Sequence, residues 1–261
     1  MTILRRFLTQ LSLLPNYIYS KYVYRIARNQ DAFAANSPYL DAEFAAIRSR
    51  DFSKNLEISH KYSPDQIGIA TTLARIVKKN SEPITICDFG GGDSRLYRWI
   101  ESQFENLDFD YHFVEVPAYV DALTNSGTVN FTISDAVITC KQLPKINIHK
   151  IIPNIHFDLI IAGAVIGWVE EPFAILSQLS SKCDALLVLR TLSGKASSRN
   201  GFQRTKLKDR TLSLPCWFLN TEELIRHADK PLKFMWDSSS DSIFTSNGTY
   251  HFESFLFSNK F

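Results

Sequence analysis

Three consecutive glycines, Gly90, Gly91 and Gly92, follow the β-branched run Ile84-Thr85-Ile86-Cys87-Asp88-Phe89 and precede Asp93 and Ser94. A strand, a glycine turn and a capped helix start, in that order, form the entry of a nucleotide-like ligand into a βαβ unit. Glycine allows both a sharp turn and a close approach of the ligand to the backbone, and Asp or Ser caps the helix that follows. Asp88, at the strand tip, would lie within reach of a ligand amino group. Glu115 stands 25 residues beyond Gly90, at the end of a second strand, where a carboxylate accepts both ribose hydroxyls. Asp135 follows a third candidate strand and could accept an adenine amino group, and Ala162 closes a fourth beside the same crevice.

The dinucleotide fingerprint G-x-G-x-x-G needs a third glycine where this chain has Arg95. Its loss favours a ligand with a cationic centre and no pyrophosphate, for which S-adenosylmethionine is the candidate. No metal is expected. A nicotinamide-dependent sugar oxidoreductase is the competing enzyme class, disfavoured by Arg95 and by the pattern of the chain's last strands. A non-catalytic subunit that keeps the fold and docks on a glycan-assembly complex is the competing binding class. Intact Gly90–Gly92, Glu115 and Asp135 speak against it.

Acceptor chemistry falls to later residues. Arg190 ends an apolar strand, where its planar fork suits a carboxylate or phosphate. Gln203 lies in a polar segment, 193–210, that reads as a flap rich in Lys and Arg, and Trp217 offers an apolar wall for a sugar. His251 is the candidate general base, because the loop between the last two strands should open on the ligand side, near Asp241 and Tyr250.

These residues need a parallel sheet to bring them together. Strands are expected over 84–89, 111–116, 129–133, 157–162 and 185–191, with helices over 94–103, 118–123 and 172–181. Apolar runs without alternation indicate strands covered on both faces. Asn220-Thr221-Glu222-Glu223 is a capping signal for a helix to about His227. Strands over 232–237 and 252–257, joined by a polar loop at 238–250, then form a hairpin. The fold class is α/β, with a doubly wound, mostly parallel seven-stranded sheet, an N-terminal helical extension and a C-terminal antiparallel hairpin. Residues 1–80 read as a helical cap and 81–261 as the ligand-binding domain. Within the cap, residues 64–79 carry Ile67, Ala70, Leu73 and Val77 at helical spacing, with Pro64 in the first turn.

Bulk properties exclude other classes. A net charge of +2 over 261 residues supplies no field for nucleic acid. Residues 1–30 carry Arg5, Arg6, Lys21, Arg25 and Arg28 and no acid. That segment reads as a peripheral cap with a solvated basic face or as a contact with an anionic membrane surface or an anionic substrate. The longest apolar run, 159–169, is 11 residues, against roughly 20 for a membrane span. Cys87, Cys140, Cys183 and Cys216 form no C-x-x-C pair and read as buried thiols of a reducing, cytoplasmic compartment.

On these residues the core resembles the class I S-adenosylmethionine-dependent methyltransferases. More narrowly, it is similar to a methyltransferase family found among bacterial surface-polysaccharide genes. The matching segments are Cys87-Asp88-Phe89-Gly90-Gly91-Gly92, Val114-Glu115-Val116, Phe157-Asp158-Leu159-Ile160, Gly167-Trp168-Val169-Glu170-Glu171-Pro172, Leu189-Arg190-Thr191-Leu192, Gln203 and Leu214-Pro215-Cys216-Trp217-Phe218-Leu219-Asn220. The resemblance covers about residues 60–261. It implies methyl transfer onto a glycan, a glycan precursor or its phosphate-linked decoration and does not name the acceptor; with Arg190 and the basic segment 193–210 it leads to the expectation of an anionic sugar or sugar phosphate.

Overall fold

A computed structural model describes residues 23–26, 45–46, 52, 63–77, 82–125, 131–133, 138–140, 143–207 and 210–261. The basic residues of 1–30 other than Arg25 lie outside them. The central strands are β2 (Ile84–Phe89), β3 (Phe109–Val114), β6 (Leu143–His149), β7 (Phe157–Gly163) and β8 (Cys183–Gly194). They run parallel in the order β6-β3-β2-β7-β8. Two antiparallel strands, β12 (Thr249–Ser258) and then β11 (Leu232–Phe244), continue the sheet beyond β8.

Alternate side chains of these strands face two helix layers, so both faces are buried and the runs are apolar throughout. On one face α1 (Pro64–Val77), α2 (Arg95–Gln103) and α3 (Pro117–Asn125) pack Leu73, Ile100 and Val120 against Ile86, Phe113 and Leu187. On the other, α4 (Pro172–Ser181) and α5 (Thr221–His227) pack Leu176, Leu179 and Leu224 against Ile160, Val188 and Phe255. This is the doubly wound α/β arrangement with a terminal hairpin.

Local chemistry fixes the helix starts. Ser63 and Gln66 form a reciprocal capping box at α1: Gln66 N donates to Ser63 Oγ (3.2 Å) and Ser63 N to Gln66 Oε1 (2.8 Å). Pro64 occupies the first turn. Asn220 Oδ1 accepts from Glu223 N at 2.8 Å to cap α5. At α2 it is Asp93 whose Oδ1 accepts from Arg95 N, while the Ser94 hydroxyl instead donates to the Phe52 carbonyl.

Five further strands depart from the expected plan. Residues 129–133 were expected to form the third parallel strand, with Asp135 at its end. Only Phe131–Ile133 is a strand (β4); it lies at the outer edge, antiparallel to β5 (Ile138–Cys140). The place beside β3 belongs to β6, whose Ile146 and Ile148 are fully buried and which ends at His149. Pro144 and Lys145 obscure that alternation in the sequence. Asp135 lies outside the described residues.

Three other corrections concern segments read as flap, helix and loop. The segment read as a flap is a strand pair, β9 (Arg199–Leu207) with β10 (Arg210–Asn220), and Tyr24–Ile26, expected to be helical, is a third strand (β1) paired with β9. The loop expected at 238–250 is mostly strand, with the hairpin turning at 245–248. Its Ser and Asp residues sit on a strand of mixed exposure at the sheet's edge, so the run carries no apolar signature.

Close packing joins β1 to this pair. A Cβ on Gly201 would lie 2.2 Å from the Arg25 carbonyl oxygen and 2.7 Å from the Phe218 ring. Gly201→Ala is expected to push β1 off β9 and to lower stability by about 1–3 kcal/mol in urea denaturation. Unchanged stability would show that β1 yields without cost.

Candidate functional site

Two clusters stand at the C-terminal ends of the parallel strands, where open α/β sheets bind ligands. The first is the glycine turn after β2. Gly90 and Gly92 adopt φ of 70° and 68°, which glycine alone reaches without strain. Gly90 N donates to the Val114 carbonyl at 2.8 Å, tying the ends of β2 and β3 together. Glu115 braces the turn: its Oε1 accepts from Gly92 N at 2.9 Å and its Oε2 from Val116 N at 3.0 Å. The Tyr119 hydroxyl donates to the Gly92 carbonyl. The half-buried Glu115 carboxylate is therefore held in place at the end of β3.

Asp88 lies beneath this turn. It is 2% exposed, and its Oδ2 accepts from the Tyr111 hydroxyl at 2.7 Å. A Cβ on Gly91 would approach that carboxylate oxygen to 2.3 Å, so glycine is required for the turn to lie directly on the acid. Burial pushes the Asp88 carboxyl up to about 7; the Tyr111 hydrogen bond lowers it, and the charges of Glu115 and Asp93 raise it. Ala162, at the end of β7, is fully buried, whereas a Cβ on the next residue, Gly163, would meet nothing within 4 Å. Open space at the strand end thus begins at Gly163.

The second cluster forms where β8 changes neighbours. Strand β7 pairs with β8 only as far as Leu189, opposite Gly163. Strand β10 takes up pairing at Ser193 and Gly194. Between them lies Arg190, at a bulge where the pairing of β8 with β12 shifts register. Arg190 has φ of 52° and Ala164 has φ of 54°, two of three described non-glycine residues in the left-handed region. Each costs on the order of 1 kcal/mol.

Both line one cavity of about 610 Å³, together with Tyr24, Trp168, Gln203, Asp241, Ser242, Ile243 and Phe252. Gln203 Nε2 donates to the Tyr24 hydroxyl at 3.0 Å, which fixes the amide across β1 and β9. No described residue forms an ion pair with Arg190 or Asp241. Asp241 is delivered by the irregular stretch of β11 between Asp237 and Ser242, where register against β12 is lost.

The structure therefore brings Arg190 and Gln203 together. Trp217 stands outside the lining: its Nε1 donates to the Glu170 carbonyl at 3.2 Å, and its partly buried ring packs against the core cluster that includes Leu176 and Leu224. Trp168, from the 3₁₀ turn Ile166–Trp168, supplies the aromatic face instead. His251 lies on β12 with Nδ1 3.2 Å from Ser242 Oγ, and it too is outside the lining. Among the lining side chains Asp241 carries the one carboxylate. Tyr24 escaped the sequence reading because its partner Gln203 is 179 residues away. Cys87, Cys183 and Cys216 are buried free thiols outside the cavity lining, and burial pushes each of them up.

Ionisation of Asp88 is expected to govern part of the pH dependence of folding. Below about pH 4 the carboxyl is largely neutral in both states. Between about 4 and 7 it ionises in the unfolded chain first, so stability falls as pH rises, by roughly 4 kcal/mol at most. In Asp88→Asn the decline over that range should be shallower than in the wild type, as read by urea denaturation. Parallel curves would place the raised carboxyl elsewhere.

No family model and no curated protein matches the chain. Among solved structures, the N-terminal domain of EvdMO1 with SAH bound is similar at 13% identity, covering 84% of this chain and 97% of that one, with a TM-score of 0.42. LepI in complex with SAM is similar at 10% identity over 77% of this chain and 49% of that one, TM-score 0.44. The [4+2]-cyclase SpnF is similar at 13% identity over 84% and 78%, TM-score 0.41. At such distances the function has to be argued from the chain's own residues. Among the described residues no helix is long and apolar enough to cross a membrane.

Proposed function

We propose that the chain is an S-adenosylmethionine-dependent methyltransferase whose acceptor, an anionic sugar or sugar phosphate of a surface glycan or its precursor, sits in the cavity at Arg190. The observation that carries this reading is adjacency. Gly163, where open space begins, lies between the glycine turn braced by Glu115 and the acceptor-like cavity entered at Ala164. The residues present fit such a cofactor: a glycine turn opening a helix, a fixed carboxylate at the next strand end, and room at the third. When bound, the cofactor supplies a methyl group on a sulfonium centre.

The chain's own residues would then do three things. Glu115 holds ribose hydroxyls while keeping the Gly92 turn in place. Arg190 and Gln203 orient the acceptor, with Trp168 and Phe252 against its ring faces; alignment is the main demand of an in-line displacement. Asp241 takes the proton if the attacking group is a hydroxyl or an amine, the role expected of His251 from the sequence. The aromatic faces, one guanidinium fork and paired amide and carboxylate groups suit a polyhydroxylated anion better than a flat apolar one. The glycan assignment adds the likeness of the Arg190-Thr191, Gln203 and Pro215–Asn220 elements to the polysaccharide-linked family.

Calorimetry with S-adenosylhomocysteine, NAD and NADP tests the cofactor. Binding of the first alone is expected, and Glu115→Ala should weaken it about ten- to a hundredfold, or roughly 1.5–3 kcal/mol. A preference for NAD would overturn the reading in favour of an oxidoreductase. With a panel of nucleotide sugars, sugar phosphates and neutral sugars, Arg190→Lys should raise acceptor KM and spare cofactor affinity. Asp241→Asn should lower kcat with hydroxyl acceptors, and His251→Gln should not. A neutral sugar as the best acceptor, with Arg190→Lys fully active, would refute the anionic-acceptor model.

A further inference from the structure

From the geometry we infer that Asp65 and Ser254, both remote in sequence from Arg190, are the positioning residues that hold Arg190 in its left-handed conformation and so aim its guanidinium at the acceptor. The inference rests on the acceptor cavity proposed above. Arg190 is not a residue that adopts φ of 52° on its own account. Its backbone N–H, displaced from the ladder by the bulge, donates instead to Ser254 Oγ at 2.9 Å. Ser254 is fully buried, and its hydroxyl donates in turn to Asp65 Oδ1 at 2.7 Å.

Asp65 is the fixed end of this chain of bonds. It sits in the first turn of α1 and is 8% exposed. The same Oδ1 also accepts from Ser238 Oγ at 2.9 Å and from Trp236 Nε1 at 3.1 Å, both on β11. A side-chain oxygen that gathers three donors orients the Ser254 hydroxyl, whose oxygen also meets Ser238 Oγ and accepts from the Arg190 N–H. Without the Ser254 hydroxyl the Arg190 amide would be an unpaired donor at a strained residue, and the bulge would relax. The bonds join α1, β11, β12 and β8, so the guanidinium's aim is set from the helix layer rather than from within the cavity. The same network places Ser238 at the start of the irregular stretch of β11 that delivers Asp241. An outside support for a strained functional residue is the usual way such geometry persists.

Two measurements test the inference. The first needs no assumption about the reaction: crystal structures of Ser254→Ala and Ser254→Thr. Arg190 is expected to leave the left-handed region in Ser254→Ala and to stay there in Ser254→Thr, which keeps the hydroxyl. Arg190 retained at positive φ in Ser254→Ala overturns the inference. Should Ser254→Ala fail to fold, Ser254→Cys preserves the volume with a weak acceptor and carries the same comparison.

The second is kinetic, using the acceptor that the sugar panel identifies. Ser254→Ala should raise acceptor KM about tenfold with S-adenosylhomocysteine affinity unchanged, and Ser254→Thr should restore it. Arg190→Ala combined with Ser254→Ala should be no worse than Arg190→Ala alone, because the serine acts through the arginine. Additive losses overturn the inference. If no sugar is methylated, the methyltransferase reading fails, and the crystal structures still decide whether Asp65 and Ser254 hold Arg190.

Discussion

Strand β8 has more residues than either of its neighbours on one edge can pair. Strand β7 covers that edge to Leu189 and β10 resumes at Ser193, while β12 runs along the other edge. The interval between is the point on which the cavity at Arg190 depends. A sheet cannot leave backbone donors there without partners, because a buried unpaired N–H costs as much as a lost hydrogen bond. The chain resolves this with a bulge, a left-handed arginine and a serine hydroxyl. The same interval lets β9, β10 and β1 diverge from the main sheet, with β1 and β9 walling a cavity over the strand ends. The cavity follows from an interruption in pairing.

The other cluster obeys a different constraint. Three acids, Asp88, Asp93 and Glu115, converge on one glycine turn, and each is held by a different donor. Asp93 is paired with Arg95 and caps α2. Glu115 is fixed by two backbone N–H groups. Asp88 is left in the interior with a phenol as its partner, and burial raises it toward neutrality. Placing like charges so near one another favours keeping one of them neutral. The turn is consequently supported by an acid that does not need to face solvent, with Glu115 presented at the strand end.

The parallel core and the glycine turn are readable from the sequence because their signals are local. A β-branched run, three glycines and a capping residue follow one another directly, and uninterrupted apolar runs announce buried strands. The α5 cap at Asn220 is readable for the same reason, since Glu223 is three residues away. Arg190 and Gln203 stand out by residue type and by resemblance. The order of the elements also announces the α/β class and the terminal hairpin.

Long-range pairing lies beyond such signals. That Tyr24 meets Gln203, that β6 displaces residues 129–133 as the third strand, and that Asp241 reaches the cavity while His251 does not, are all decided by register. Register depends on contacts between residues far apart in the chain, and shifting it by one residue reverses every side chain. Left-handed φ at Arg190 is likewise invisible in its residue type, because it is imposed by a hydroxyl and a carboxylate from two other elements. Residue types and local spacing name the groups able to do chemistry at the strand ends. Which of them share a cavity is a matter of the folded arrangement, because only packing brings Asp65, Ser254 and Arg190 within hydrogen-bonding distance.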